Sequence, residues 1–187
     1  ISQLYHNLGI DGWLDLDVGD ATRRVRIHNV HIEEDAGKLL HPQDIESSTL
    51  FDSEAAEPPP GWRTMTMVDL NRTGIPLVEI VSEPDMRSVE EARVYMETLA
   101  ALLRWIGAAG CKMEEGGLRF EPSISLRPVG QAELGSRVEI KNVNSMKAVV
   151  AALEYEARRQ ADLLDHGEHV ARTTMLWDEN AGRTLPM

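Results

Sequence analysis

The 187-residue sequence is poor in cysteine and in aromatic residues, with one cysteine, four tryptophans, three tyrosines and two phenylalanines. A lone Cys111 cannot form an internal disulfide and cannot supply a thiolate cage for a metal ion. No apolar run approaches the roughly twenty residues of a membrane span, and no basic-then-apolar signal opens the chain. These absences exclude a disulfide scaffold and a membrane span, and they predict a cytoplasmic protein.

Basic residues are also scarce. Nineteen Lys and Arg stand against thirty-one Asp and Glu, a formal net charge of -12 that opposes non-specific binding to a phosphate backbone. The 42% hydrophobic content is enough for one substantial core, so a single domain of mixed helix and strand is expected. Because the chain begins with Ile1 and strand-like sequence follows closely, we expect it to be part of a longer protein.

The first third of the sequence predicts strands. Apolar and polar residues alternate over 14–18 and 25–27 around Gly19 and Asp20, a pattern typical of a hairpin. The apolar phase then shifts by one residue over 30–32, which a β-bulge explains. The predicted strand ends in the acidic run 33–35.

A mobile surface loop is predicted over residues 42–61, which are polar and acidic and include three consecutive prolines. Residues 77–81 are apolar on both parities except for Glu79, which is typical of a strand covered on both sides. Glu79 would need a partner there.

Two helices follow from apolar residues at helical spacing. The first begins with a capping box at Ser88 and ends at Gly107. The second is capped by Asn144 or Ser145 and ends near Gly167.

Between the helices, residues 118–127 and 137–141 each alternate apolar with charged side chains, which predicts two strands with one polar face. Carboxylates beside Arg and Lys suit a metal-nucleotide site, and Glu121 and Glu139 are the candidate metal ligands. The alternative is an ordinary sheet whose opposite charges pair across strands on a solvated face.

Other candidate groups stand at strand ends. The acidic clusters 33–35 and 114–115 are either site residues or solvated turns, and Lys38 follows a short stretch of small residues without the spacing of a phosphate-binding loop. His28 and His31 have opposite parity on one strand, so we expect hydrogen-bonded, partly buried histidines and no zinc site. No Ser-His-Asp arrangement and no glycine-rich dinucleotide loop is present.

Several longer stretches closely resemble the B-type subunits of the bacterial aspartyl/glutamyl-tRNA amidotransferases, in the same order along nearly the whole chain. They are His31-Ile-Glu-Glu-Asp-Ala-Gly-Lys38, Val68-Asp-Leu-Asn-Arg-Thr-Gly-Ile-Pro-Leu77, Glu79-Ile-Val-Ser-Glu-Pro-Asp85, Met113-Glu-Glu-Gly116, Ser125-Leu-Arg-Pro128 and Glu139-Ile-Lys-Asn-Val-Asn-Ser145.

The resemblance implies an α+β fold, with an antiparallel sheet, helices on one side and a catalytic core like that of glutamine synthetase and guanido kinases. It implies a ligase that uses ATP and Mg²⁺ to phosphorylate the side-chain carboxylate of Glu or Asp misacylated on tRNA. Ammonia from the A-type amidase subunit then displaces the phosphate. The implied partners are this amidase, the small C-type subunit and misacylated tRNA, with no membrane.

The resemblance also implies roles for individual residues. The matching stretches point to Glu34 and Glu139 as metal ligands, in agreement with the face that carries Glu121. Lys38, Arg119 and Lys141 are the expected phosphate contacts, and Glu33, Glu114 and Glu115 complete the catalytic pocket.

The sequence departs from the family at 119–123, where Arg-Phe-Glu-Pro-Ser replaces the usual Arg-Cys-Asp-Ala-Asn. The family's N-terminal segment and its C-terminal tRNA-binding domains are not in this sequence, so residues 1–187 are expected to form a partial catalytic domain that is inactive alone. Two alternatives are an archaeal E-type subunit and a non-catalytic scaffold of the same fold. A stand-alone tRNA-binding module is disfavoured by the charge of -12.

Overall fold

The structure, a computed structural model, describes residues 6–42, 60–113 and 115–187. Its elements, in chain order, are β1 (Gly9–Val18), β2 (Ala21–Glu34), β3 (Lys38–Leu40), a 3-10 turn (Trp62–Thr64), β4 (Met67–Asp69), β5 (Pro76–Ser82), α1 (Val89–Trp105), β6 (Ser123–Ile124), β7 (Val138–Lys141), α2 (Met146–Asp165), β8 (Thr173–Asp178) and β9 (Arg183–Pro186). Most of the predicted loop over 42–61 lies outside the described residues.

The chain divides into two compact units. The first comprises Ile1–Gly12 and Arg26–Glu83, and the second comprises Trp13–Val25 and Pro84–Met187. Neither helix in the described part of the chain combines the length and the apolar character needed to cross a bilayer.

The predicted hairpin is confirmed as β1 and β2, joined at Gly19, whose φ of 59° lies in the left-handed region that glycine adopts without strain. Strands β1, β2 and β5 form one sheet in that order. The predicted bulge is also confirmed, because Ile27 pairs with Ser82 whereas Asn29 pairs with Val81. One extra residue, His28, is therefore inserted in β2.

Strand β5 runs antiparallel to β2 at an edge of that sheet. The prediction that it is covered on both sides is wrong, because Val78 is 56% exposed. An apolar run of five residues does not distinguish a strand buried on both faces from an edge strand. The separate pair β3 and β4 is antiparallel, with Lys38 opposite Asp69.

Both predicted helices are confirmed, with their caps. The Ser88 hydroxyl accepts a hydrogen bond from the backbone N–H of Glu91 at 3.1 Å and begins α1. Ser145, rather than Asn144, caps α2 by accepting from the N–H of Ala148 at 3.0 Å. After each helix a glycine, Gly107 or Gly167, has a positive φ, the usual helix stop.

The sheet of the second unit has the order β6-β7-β8-β9. The expected antiparallel pairing is confirmed except at one place, because β7 and β8 run parallel. Helix α2 connects these two strands, and a parallel pair requires such a crossover. The other two pairings in this sheet are antiparallel.

The core of the second unit lies between the helices and this sheet. Ile140 on β7 and Trp177 on β8 pack in one buried cluster with Met96 on α1 and Val149 and Ala152 on α2. The predicted apolar faces of the polar-faced strands are confirmed, since Val138 and Ile140 are buried and Phe120 and Ile124 pack against the cluster.

Regular pairing in the 118–127 segment is shorter than the alternation indicates, because β6 contains only Ser123 and Ile124. Pro122 lacks an N–H and cannot donate to a ladder. Its carbonyl still accepts a hydrogen bond from the N–H of Ile140 at 2.9 Å. The segment therefore remains beside β7 and keeps Glu121 close to that strand.

Candidate functional site

In the first unit, an imidazole and two carboxylates come together on β2 and β5. The register places His31 directly opposite Glu79, and Glu33 lies two residues along β2 from His31. The His31 Nε2 atom is 3.2 Å from a Glu79 carboxylate oxygen and 3.6 Å from one of Glu33. The three potential ligand atoms all lie within 4.8 Å of one another, a spacing suited to one metal ion.

His31 is only 1% exposed, and the two nitrogens of its ring have different environments. Nδ1 lies 3.0 Å from Oδ1 of Asn29, an acceptor, so Nδ1 is the donor. Nε2 has no hydrogen-bond partner among the described residues, because its approach to Glu79 lacks hydrogen-bond alignment. With Nδ1 as the donor, a lone pair on Nε2 faces two carboxylates, an arrangement that a bound cation stabilises.

This geometry refines the expectations for the two histidines. His28 is exposed rather than partly buried, and its Nδ1 lies 2.8 Å from a carboxylate oxygen of Glu83. His31 is hydrogen-bonded as predicted, but it is fully buried. Glu79 was expected to need a partner, but its side chain is 52% exposed, and it lies 3.2 Å from the His31 Nε2 atom without a hydrogen bond to it.

The other predicted site residues of the first unit lie near this cluster in sequence. Glu34 is the last residue of β2, is exposed and pairs in register with Pro76. Lys38 begins β3 and is exposed. Between them, Asp35 accepts a hydrogen bond from the N–H of Gly37 at 2.9 Å and forms an ion pair with Arg72 at 3.1 Å, which orders the turn.

In the second unit, two of the predicted carboxylates share one cation. The Lys141 ammonium lies 2.5 Å from Glu121 and 2.6 Å from Glu139. The hydrogen bond from Lys141 lowers the pKa of Glu139, helped by the positive charges of Lys141 and Arg137 and opposed by partial burial. Burial acts to lower the pKa of Lys141, but its two carboxylate partners more than offset this and raise it.

The structure thus brings Glu121, Glu139 and Lys141 together as an ion-paired group on one sheet face. This is the arrangement expected of opposite charges that pair across strands, and the ammonium occupies the position between the carboxylates. A divalent ion there would have to displace Lys141.

The remaining predicted residues of the second unit are less constrained. Arg119 is exposed on the segment before β6. Glu115 is exposed and pairs with Lys112 at 2.6 Å, as a solvated turn does. Glu114 lies outside the described residues.

The sequence interpretation did not propose His31 and Glu79 as metal ligands. Glu79 was noted as an acidic residue in an apolar run, but its relation to His31 depends on the register after the bulge. A shift of one residue would move Glu79 to the opposite face of the sheet. The sequence therefore indicated only that Glu79 is a charged residue in an apolar run, and it did not indicate that His31 lies opposite.

These observations define an α+β protein whose sheet surfaces carry acidic side chains gathered around a histidine or a lysine. Residues 1–187 match the family model described as the GatB/GatE catalytic domain. The chain therefore belongs to this family, and the family resemblance of its motifs is confirmed.

Relatives in the family are named as the B-type subunits of aspartyl/glutamyl-tRNA(Asn/Gln) amidotransferases. The chain is 45% identical over 187 residues to the protein of that name from Caldicellulosiruptor saccharolyticus, covering 100% of this chain and 35% of the relative. It is 44% identical to those from Carboxydothermus hydrogenoformans and Persephonella marina, covering 100% of this chain and 36% and 35% of the relatives. The chain thus spans about a third of the length of these curated relatives.

Proposed function

We propose that this chain is the carboxylate-activating part of an aminoacyl-tRNA amidotransferase, a ligase that works in protein biosynthesis in the cytoplasm. Its substrate is the side-chain carboxylate of Glu or Asp misacylated on tRNA. Its partners are the A-type amidase subunit, the small C-type subunit and the misacylated tRNA. Support comes from the family match over the whole chain and from the names of the relatives.

The proposed reaction has two steps. A carboxylate oxygen of the substrate attacks the γ-phosphorus of ATP, the bond to the β,γ-bridging oxygen breaks, and ADP leaves an acyl phosphate. Ammonia then attacks the acyl carbon, and inorganic phosphate leaves as the amide forms and a proton is released. Positioning and charge stabilisation are the main tasks of a protein in phosphoryl transfer. We further propose a core of the glutamine synthetase and guanido kinase type.

The single observation that best supports a metal-dependent reaction is the buried Nε2 of His31, which faces the carboxylates of Glu33 and Glu79. One nitrogen and two carboxylate ligands fit Mg²⁺ with added waters, and they fit Mn²⁺ well. His31, Glu33 and Glu79 would hold the ion, with Asn29 fixing the ring through Nδ1. A bound divalent ion supplies charge neutralisation for phosphate oxygens.

The experiment compares Glu79→Gln with Glu83→Gln in the complete amidotransferase, by ATP hydrolysis that depends on misacylated tRNA. Each substitution removes a carboxylate that lies close to a histidine of β2. Glu79 on β5 lies 3.2 Å from His31, and Glu83, one residue beyond the end of β5, lies 2.8 Å from His28. We expect a loss of about 10²-fold or more for Glu79→Gln and near wild-type hydrolysis for Glu83→Gln. Equal activity in both variants would contradict the assignment of the site.

A non-catalytic scaffold of the same fold is the second candidate. The ion-paired group of Glu121, Glu139 and Lys141 favours it, because these charges are matched without a metal. Calorimetric titration of the complete protein with Mg²⁺ and ATP separates the two functions. Absence of binding, together with absence of tRNA-dependent ATP hydrolysis, would establish the scaffold. An archaeal E-type subunit has the same proposed chemistry and falls under the same family description.

A further inference from the structure

The strand pair β2 and β5 has an aliphatic side, opposite to the side of the candidate metal cluster. The register pairs Val30 with Ile80 and Ile32 with Val78. Directly opposed residues lie on one side of a sheet, and neighbours along a strand point to opposite sides. The candidate metal ligands alternate with these residues along both strands and therefore lie on the other side. The four aliphatic side chains form one surface, the aliphatic face.

The aliphatic face is open to solvent, although a polar residue of the same strand is buried. Val78 is 56% exposed, and Val30, Ile32 and Ile80 are half-buried, whereas His31 is 1% exposed. An antiparallel sheet with one solvated side normally turns its polar side chains toward water. Exposing aliphatic side chains and burying an imidazole is the reverse, and it is unfavourable unless another element covers the face.

The first unit has little other apolar surface to bury. In the part of this unit that the structure describes, Ile27 and Leu40 are the only buried hydrophobic residues. Units of this size are marginally stable even with a complete core. A cover on the aliphatic face would add four apolar side chains to these two, so a lasting cover would complete the core of the unit.

The dimensions of the aliphatic face fit one α-helix. Paired strands lie about 4.8 Å apart, and residues two positions apart on a strand are separated by about 7 Å. A helix with its side chains is about 10 Å across, so one helix spans the whole face. Gly9 lies beside Val30 on this face, because a Cβ at Gly9 would be 3.9 Å from the Val30 Cβ. Since Gly9 has no side chain, a helix can approach the sheet closely there.

The small area of the aliphatic face indicates the source of such a helix. Four partly buried aliphatic side chains expose far less than the roughly 800 Å² that each partner buries in a stable complex of separate molecules. A segment of the same polypeptide needs less area, because tethering raises its effective concentration to the order of 1 mM. The chain covers 35% of the Caldicellulosiruptor saccharolyticus relative, so about two thirds of that relative lies outside the match. A second copy is disfavoured because two chains of charge -12 repel each other.

We infer that an amphipathic α-helix from the part of the complete polypeptide outside residues 1–187 packs on the aliphatic face. Its apolar stripe consists of aliphatic side chains three and four residues apart, which is the spacing of one helix face. The helix supports from behind the two strands whose other side carries His31 and Glu79. The inference does not rest on the proposed reaction, because the accessibility of a side chain is measured without turnover.

The test is the labelling of Val78→Cys by a maleimide in the complete protein, followed by mass spectrometry of its peptides. Cysteine behaves as a small apolar residue, so the substitution should leave the fold intact. The matched control is Val129→Cys, because Val129 is fully exposed between β6 and β7. We expect Val78→Cys to react at least about 10²-fold more slowly than Val129→Cys, as a covered residue does. Cys111, which is 6% exposed, gives the rate of a buried thiol in the same experiment.

Slow labelling of Val78→Cys at every protein concentration and without added subunits supports the inference. Three results would overturn it. Equal rates for the two variants would mean that nothing covers the face, and labelling that becomes fast on dilution would mean that a second copy covers it. Protection that appears only after the amidase and small subunits are added would assign the cover to a partner. If fast labelling of Cys111 shows that Val78→Cys is unfolded, Ile32→Cys on the same face gives the same comparison.

Discussion

Thr184 on β9 donates a hydrogen bond from its hydroxyl to Oε1 of Glu156 on α2, at 2.5 Å. Glu156 is fully buried, and it also accepts from both Arg159, at 2.8 and 2.9 Å, and Gln160, at 3.1 Å. Gln160 in turn accepts from the N–H of Leu126 at 3.1 Å. A single satisfied carboxylate thus ties the helix to a strand and, through Gln160, to the segment after β6.

Replacing this carboxylate is expected to destabilise the second unit. In Glu156→Gln the charge-assisted hydrogen bonds are lost and the amide leaves one donor without an acceptor, so we expect a loss of about 1.5–3 kcal/mol in the free energy of unfolding. Urea denaturation followed by circular dichroism measures it. Glu154→Gln, an exposed site on the same helix, should change stability by no more than about 0.5 kcal/mol. Equal effects of the two substitutions would contradict a structural role for Glu156.

The stabilisation by Glu156 should depend on pH. Burial acts to raise the pKa of this carboxyl, but hydrogen bonds from Arg159, Thr184 and Gln160 outweigh it and lower the pKa below 4.5. A lowered pKa in the folded state stabilises the protein above the unfolded value and loses that effect as pH falls through the folded pKa. The stability difference between wild type and Glu156→Gln should therefore be constant near neutral pH and shrink below about pH 4.5. Denaturation series from pH 7 to pH 3 measure this stability difference. If the difference grew on acidification, the pKa of Glu156 would be raised in the folded protein, which contradicts the prediction.

Gly37 lies in the turn between β2 and β3, where the structure leaves no room for a side chain. Its φ is +88°, and a Cβ there would lie 2.7 Å from the Asp69 carbonyl oxygen and from the Thr73 hydroxyl. Gly74 has a similar φ of +82° with open space around it, so Gly74→Ala carries the backbone strain without the clash. We expect Gly37→Ala to cost about 1–3 kcal/mol more than Gly74→Ala in urea denaturation. Equal losses of unfolding free energy in the two variants would contradict this expectation, because they would mean that the turn moves enough to remove the clash.

Lys141 holds two carboxylates that would otherwise repel each other. In Lys141→Gln the pKa of Glu139 should rise from its lowered value, because the hydrogen bond and the positive charge that lower it are removed. Titration of the carboxyl carbon of Glu139 by ¹³C NMR measures the shift. Lys147→Gln, at an exposed position on α2, should leave that pKa unchanged. A pKa of Glu139 that does not move in Lys141→Gln would show that Lys141 does not hold it in solution.

Local patterns were sufficient to predict most elements of the fold. The caps at Ser88 and Ser145, the turn at Gly19 and the bulge before Asn29 each depend on a few neighbouring residues. Strands β3, β4, β8 and β9 were not predicted, and the parallel pairing of β7 with β8 was missed with them. Strand direction depends on how α2 crosses the sheet rather than on alternation.

The candidate site was predicted only in part, for a related reason. Alternation placed Glu139 and Lys141 on the same polar face, and the structure adds that Lys141 bridges Glu139 and Glu121. His31 and Glu79 are 48 residues apart in sequence, and only the register of β2 and β5 brings them together. Pairing partners in a sheet are set by the whole hydrophobic pattern and by bulges, so a single charged residue in an apolar run does not reveal its neighbour.

The central claim is that His31, Glu33 and Glu79 form a divalent-cation site. Its most direct test is Mn²⁺ binding to the complete protein, followed by electron paramagnetic resonance at neutral pH, for wild type, Glu79→Gln and the matched Glu83→Gln. We expect one high-affinity ion in the wild type and in Glu83→Gln, and binding weakened by about tenfold or more in Glu79→Gln. Equal Mn²⁺ affinity in all three proteins would contradict it.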